Sequence, residues 1–141
     1  MNKYRYLGLL ALVAAASGTV KLSAVEGGDD NPPGPVVETV LREQLEVWPA
    51  GEAIVTRLEL PANFSLSRHY HPGEEIIYAI EGDGWIHYPD KPDVHVSAGE
   101  SARIPARQIH SGSAGEKGLR AIIFRVHVKG EPVRVDVTDS P

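Results

Sequence analysis

The 141-residue chain has no cysteine, which removes disulfides, thiolate metal ligands and a cysteine nucleophile together. Any metal it binds must be held by nitrogen and oxygen. Basic runs are also missing. Lys and Arg number 14 against 19 Asp and Glu, for a formal net charge of -5, and no stripe of positive residues could follow a phosphate backbone, so nucleic acid is not an expected partner. Two domains with separate cores would need a longer chain. With 42% hydrophobic and 23% charged residues, the bulk of the chain has the balance of a folded domain, and its expected partner is a small-molecule ligand.

The N-terminus carries Lys3 and Arg5, then the apolar run YLGLLALVAAA over residues 6–16, then Ser17 and Gly18. This is the three-part pattern of a secretory signal. The run is too short for a ~30 Å hydrocarbon core at about 1.5 Å per residue, which argues against a membrane anchor. Residues 1–24 are therefore expected to be a cleaved signal peptide, with the mature protein periplasmic or secreted and off the membrane. Cleavage after Ala24 removes three positive charges and no negative one, deepening the acidic balance. Residues 25–35, VEGGDDNPPGP, lack apolar periodicity and read as a flexible linker.

From residue 36 onward Pro or Gly recurs every few to a dozen residues, a spacing that suits short strands and leaves little room for helices. The segments 53–60, 75–80, 84–88, 93–97 and 119–128 are rich in β-branched and aromatic residues, several in alternation with polar ones, and read as strands. Residues 36–48 fit either period, and strand is preferred. No repeat of 20–50 residues is present. The expectation is an all-β fold, one small β-barrel or jelly roll over residues 36–141.

His69 and His71 in LSRHYH stand two residues apart, which on a strand puts both side chains on one face about 6.6 Å apart, close enough to share an ion bound at about 2.1 Å. Pro72 and Gly73 then turn the chain, and Glu75 opens the next strand with a carboxylate aimed from a neighbouring direction. A further ligand should come from a distant strand, and His110 in GESARIPARQIH is the best candidate. His87, His95 and His127 have no such arrangement and read as surface or edge residues.

These two segments resemble the cupin superfamily. Its first motif, G-x5-H-x-H-x3-4-E-x6-G, is matched at His69, His71, Glu75 and Gly82, with Asn63 in place of the first Gly. The second, G-x5-P-x-G-x2-H-x3-N, is matched at Gly99, Pro105 and His110, with Arg107 in place of the second Gly and Ala114 in place of the Asn. The resemblance implies a double-stranded β-helix and a metal centre made by His69, His71, Glu75 and His110. It also implies strain at Arg107, where a turn that favours glycine asks for positive φ.

Three histidines and a carboxylate suit one divalent transition metal, Fe, Mn, Ni, Cu or Zn, and leave coordination positions open. The resemblance to quercetin-dioxygenase-like cupins implies an oxygenase-like enzyme acting on a small oxygen-rich compound, with Glu75 as a ligand and proton acceptor. Two other classes stay open: a non-oxidative isomerase, cyclase or lyase using the ion as a Lewis acid, and a binding module without turnover. Strand parity places Ile77 and Ala79 in the substrate pocket with Glu75, and Gln108 beside His110. Exposed strand edges make a homodimer the expected assembly.

Overall fold

The computed structural model describes residues 34–138. The expected signal peptide and nearly all of the expected linker lie outside the described residues. Within them the chain forms eight strands and no helix: β1 (Val36–Gln44), β2 (Gly51–Leu60), β3 (His69–Tyr70), β4 (Glu74–His87), β5 (Val94–Ser97), β6 (Ser101–Ile104), β7 (Ser111–Val128) and β8 (Val135–Asp136). The expected all-β class is what the chain adopts. Residues 36–44 are indeed a strand, paired antiparallel to β2.

The larger sheet runs β1-β2-β7-β4-β5, with β6 on the same edge of β4 as β5, and β3 pairs with β8 in a second, two-stranded sheet. Its spine is β4 against β7, antiparallel from Glu74↔Val126 to His87↔Ser111. Residues 75–80 and 84–88 are expected from the sequence as separate strands. The structure instead carries one strand through both on two register shifts, Ala79/Glu81 and Gly82/Gly84. Such bulges insert residues and bend the strand without ending it. Gly82 has φ 71°, and a Cβ there would lie 2.0 Å from the Gly118 carbonyl oxygen. The bend and the close approach of β7 both require glycine. β7 is longer than its apolar segment suggested, because residues 111–118 also belong to the strand, with 111–114 paired to β4.

Alternation decides which side chains enter the core. Along β7, Leu119, Ala121, Ile123, Arg125 and His127 are buried while Arg120 and Phe124 are exposed. Leu58, Leu60, Ile77, Ala79, Ile86, Val96 and Ile104 meet the β7 residues from the other strands. Each fully buried aliphatic side chain contributes about 1.5–3 kcal/mol. This apolar floor supports a row of polar groups, Thr56, Glu75 and Arg125, which leads to the histidines.

Candidate metal centre

His69 and His110 are brought together by backbone pairing. The His69 N–H donates to the His110 carbonyl and the His110 N–H to the His69 carbonyl, both at 2.9 Å. Directly opposed residues of an antiparallel pair share a face, so the two imidazoles stand side by side with ring centroids 4.3 Å apart. His71, two residues on, joins the same face, 4.9 Å from His69 and 5.5 Å from His110 between centroids. One ligand atom from each of the three histidines lies within 4.8 Å of the others, and all three residues are buried. Arg107 closes the turn beneath them: its N–H donates to the His71 carbonyl at 2.7 Å. It does so at φ 61°, the left-handed conformation expected from its place in the motif.

Each imidazole is oriented by a backbone carbonyl. Nδ1 of His69 faces the Ser67 oxygen at 2.8 Å, Nδ1 of His110 faces the Gln108 oxygen at 2.9 Å, and Nδ1 of His71 faces the Val133 oxygen. A carbonyl can only accept, so Nδ1 carries the hydrogen in each ring and a neutral ring keeps its lone pair on Nε2. Burial keeps the rings neutral. It is the leading cause lowering the pKa of His69 to about 4 and depressing His71 and His110 below the ordinary histidine value. Three bare nitrogens, each fixed by a carbonyl behind it, form the arrangement that metal-binding histidines adopt.

Glu75, on β4, is 5% exposed. Its Oε2 accepts from Nε of Arg125 at 2.7 Å and lies 2.7 Å from a second guanidinium nitrogen. Nη1 of Arg125 donates to the Thr56 hydroxyl at 3.1 Å. The same Oε2 is 3.1 Å from Nε2 of His71. A bare nitrogen lone pair against a carboxylate oxygen is a repulsive contact, and a cation between them relieves it. The donor set and this contact fit a divalent ion.

A cavity of about 160 Å³ opens from the histidines into the barrel, with walls that include Leu58, Ile77, Ile86, Ile104, Leu119 and Ile123. Ile77 lines it as parity predicted. Ala79 is fully buried in the core and is not part of the cavity wall. The Gln108 side chain turns away and donates to Asp90 and to the Ile109 carbonyl, each at 3.2 Å. It is the Gln108 backbone oxygen that serves the site, because the turn after Pro105 points the side chain outward. His127, expected at a surface or edge, is fully buried. Its Nε2 meets the Glu131 carbonyl at 3.2 Å, and its Nδ1 has no hydrogen-bond partner. Arg125 and Arg134 escaped the sequence reading. Arg125 was legible, since it shares the parity of Ile123 on β7. Arg134, near His69 and His110 and held by Ser67 and Asp136, gave no signal beyond its charge.

A family profile described as the cupin domain matches residues 56–125. Among solved structures, a double-stranded β-helix protein from Klebsiella pneumoniae superposes with TM-score 0.61 at 17% identity over 77% of this chain and 90% of that one. A cupin-like protein from Thermotoga maritima gives 0.61 at 21% identity over 79% and 82%. A DMSP lyase from Ruegeria pomeroyi gives 0.55 at 19% identity, covering 60% of this chain and 43% of the lyase. At these identities the likeness speaks for the fold. No curated protein matches the sequence.

Proposed function

Because the chain belongs to the cupin superfamily, we propose that it is an exported metal-dependent enzyme that holds one divalent Fe, Mn, Ni, Cu or Zn ion with His69, His71 and His110, and with Glu75 as the fourth ligand. The observation that carries this reading is the set of three Nε2 lone pairs left bare by three Nδ1–H···O=C hydrogen bonds, with the Glu75 carboxylate next to that of His71. A bound ion supplies Lewis acidity toward a substrate oxygen, and a redox-active one supplies electrons as well.

The residues of the chain divide the remaining work. The histidines would hold the ion at the cavity wall that they line. Arg125 anchors Oε2 of Glu75 and fixes the carboxyl group beside His71, where it can ligate the ion or take a proton from a substrate carbon or hydroxyl. The aliphatic walls accept the rest of the molecule. A volume near that of an engineered cavity that takes benzene argues for a substrate of about one ring. Its oxygen functions would face the histidines and its apolar part the β2–β7 wall. The open ligand positions next to a largely apolar cavity support an oxygenase-like reaction. The buried Glu75–Arg125 pair favours a second reading, non-oxidative proton abstraction, the kind of step a lyase uses.

Metal analysis of protein recovered from its own compartment tests the centre. About one ion per chain is expected, with loss of it in the His69→Ala/His71→Ala double variant; metal-free native protein would sink the proposal. Dioxygen uptake by the metallated protein with small enols, diketones and catechols then separates the two chemistries, since the non-oxidative reaction proceeds equally without air. N-terminal sequencing of the periplasmic or secreted fraction tests export, and a start at Met1 would remove it. A homodimer is supported by the exposed apolar residues Val36, Val37, Val40 and Leu41 on edge strand β1. Light scattering that returns the mass of one chain would refute it.

A further inference from the structure

Beside the β4–β5 hairpin, where Trp85 and Ser113 also line the cavity that holds the three histidines, a serine, a histidine and an aspartate stand in line. Nδ1 of His87 is 2.6 Å from Oδ2 of Asp93, and Nε2 of His87 is 2.8 Å from Oγ of Ser113. The polarity of this chain of contacts follows from what each group can do. The Asp93 carboxylate, held ionised by its contact with His87 and weakly braced by the Tyr88 N–H at 3.4 Å, can only accept. Nδ1 therefore carries the hydrogen, the neutral ring has its lone pair on Nε2, and the Ser113 hydroxyl must donate to that nitrogen. A hydroxyl donating to an imidazole that is oriented by a carboxylate is the general-base arrangement of nucleophilic serines.

The surroundings supply a place for a substrate. Trp85 is directly opposite Ser113 on β4, and His95 is opposite Trp85 on β5, so the three side chains share a face. The indole is 43% exposed and lies against the His95 ring at 4.4 Å between centroids, tilted by 38°, while His95 is itself held by Asp83 at 3.0 Å. An exposed aromatic plane fixed next to a hydroxyl suits a flat aromatic group beside the acyl carbon.

We propose that Ser113, His87 and Asp93 form a second reactive site, an acyl-accepting serine centre that takes small aryl esters and needs no metal ion. In the first step Ser113 Oγ bonds to the acyl carbon as its proton passes to His87 Nε2. The bond from that carbon to the aryl oxygen breaks, and the proton moves on to the leaving phenolate. Acyl-Ser113 and a phenol result. Water then attacks the acyl group, again giving its proton to His87 Nε2, which passes it to Ser113 Oγ as the carboxylic acid departs.

The test uses the full chain after metal removal by a chelator, and in parallel the His69→Ala/His71→Ala variant, each with p-nitrophenyl acetate. Release of p-nitrophenolate together with an acetyl group mapped to Ser113 by peptide mass spectrometry is the expected result. Both should vanish in Ser113→Ala and slow by about tenfold or more in His87→Gln and Asp93→Asn, with melting temperatures confirming that the variants fold. Absence of acetyl on Ser113, or an equal rate in Ser113→Ala, overturns the proposal. Nitrogen NMR of the unsubstituted protein gives an independent reading: a His87 ring with its hydrogen on Nε2 would also overturn it, since that tautomer cannot accept the Ser113 proton.

Discussion

Removing the Arg125 guanidinium takes both close donors from Glu75 and leaves a carboxylate buried without a partner. Breaking a buried ion pair on one side costs about 3–5 kcal/mol, so Arg125→Met should lower urea stability by that order. Adding Glu75→Gln to it should restore a substantial part, because the orphaned charge is then gone. If the double variant is as unstable as the single one, charge is not what Arg125 contributes. The histidines give a second residue-scale prediction. His69 is lowered from 6.5 to about 4 in the folded chain, so between those values the unfolded chain binds the extra proton and stability must fall as pH falls. The metal-free protein should be fully stable above about pH 6.5 and lose stability down to about pH 4, at up to ~1.4 kcal/mol per pH unit from this residue alone; a flat urea midpoint across that window would contradict it. His69, His71 and His110 were legible because spacing and motif bring candidate ligands together without knowledge of depth. His127 was misread for the complementary reason: a single histidine on a strand reveals its face only when the parity of its neighbours is followed, and Ile123 and Arg125 show that face to be inward.

Turns and bulges are where the elements are adjusted, and two positive-φ positions show it. Arg107 pays for no glycine-like freedom: a non-Gly residue in the left-handed region is disfavoured by about 1–2 kcal/mol, while glycine in the unfolded chain gives back about 0.4–1 kcal/mol of that relief. Its exposed ion pair with Glu131, at 3.2 Å, contributes little. Arg107→Gly should therefore stabilise the protein by about 0.5–1 kcal/mol, whereas Arg107→Ala should give no gain, as differential scanning would show. Gly82 behaves oppositely. Its φ of 71° combines with the 2.0 Å approach a Cβ would make to the Gly118 oxygen, so Gly82→Ala should destabilise by about 2 kcal/mol or more, through strain at that dihedral and displaced backbone. The same residue explains why β4 was read as two strands. A glycine that ends a strand and a glycine that bends one look alike in sequence, and only the pairing of residues 84–87 with 111–114 distinguishes them.

For the molecule as a whole, the barrel and the candidate metal centre are one energetic unit. The histidines come from β3, from the turn after it and from the residue that leads into β7, segments that meet only when the chain is folded. An unfolded chain cannot present the same three nitrogens together, so an ion that binds the native site stabilises the fold by mass action, about 2.7 kcal/mol at a free concentration one hundred times its dissociation constant. In a domain of roughly this size that corresponds to a rise in Tm of several degrees or more. The rise should be absent in the His69→Ala/His71→Ala variant. It should also shrink as pH drops, because protons compete for the Nε2 lone pairs of His69, His71 and His110 that the ion requires. Melting curves for both chains with and without Zn or Mn, at pH 7.5 and pH 5, supply the comparison. A shift that survives in the double variant would place the ion elsewhere, and a shift equal at both pH values would mean that its ligands are not imidazoles.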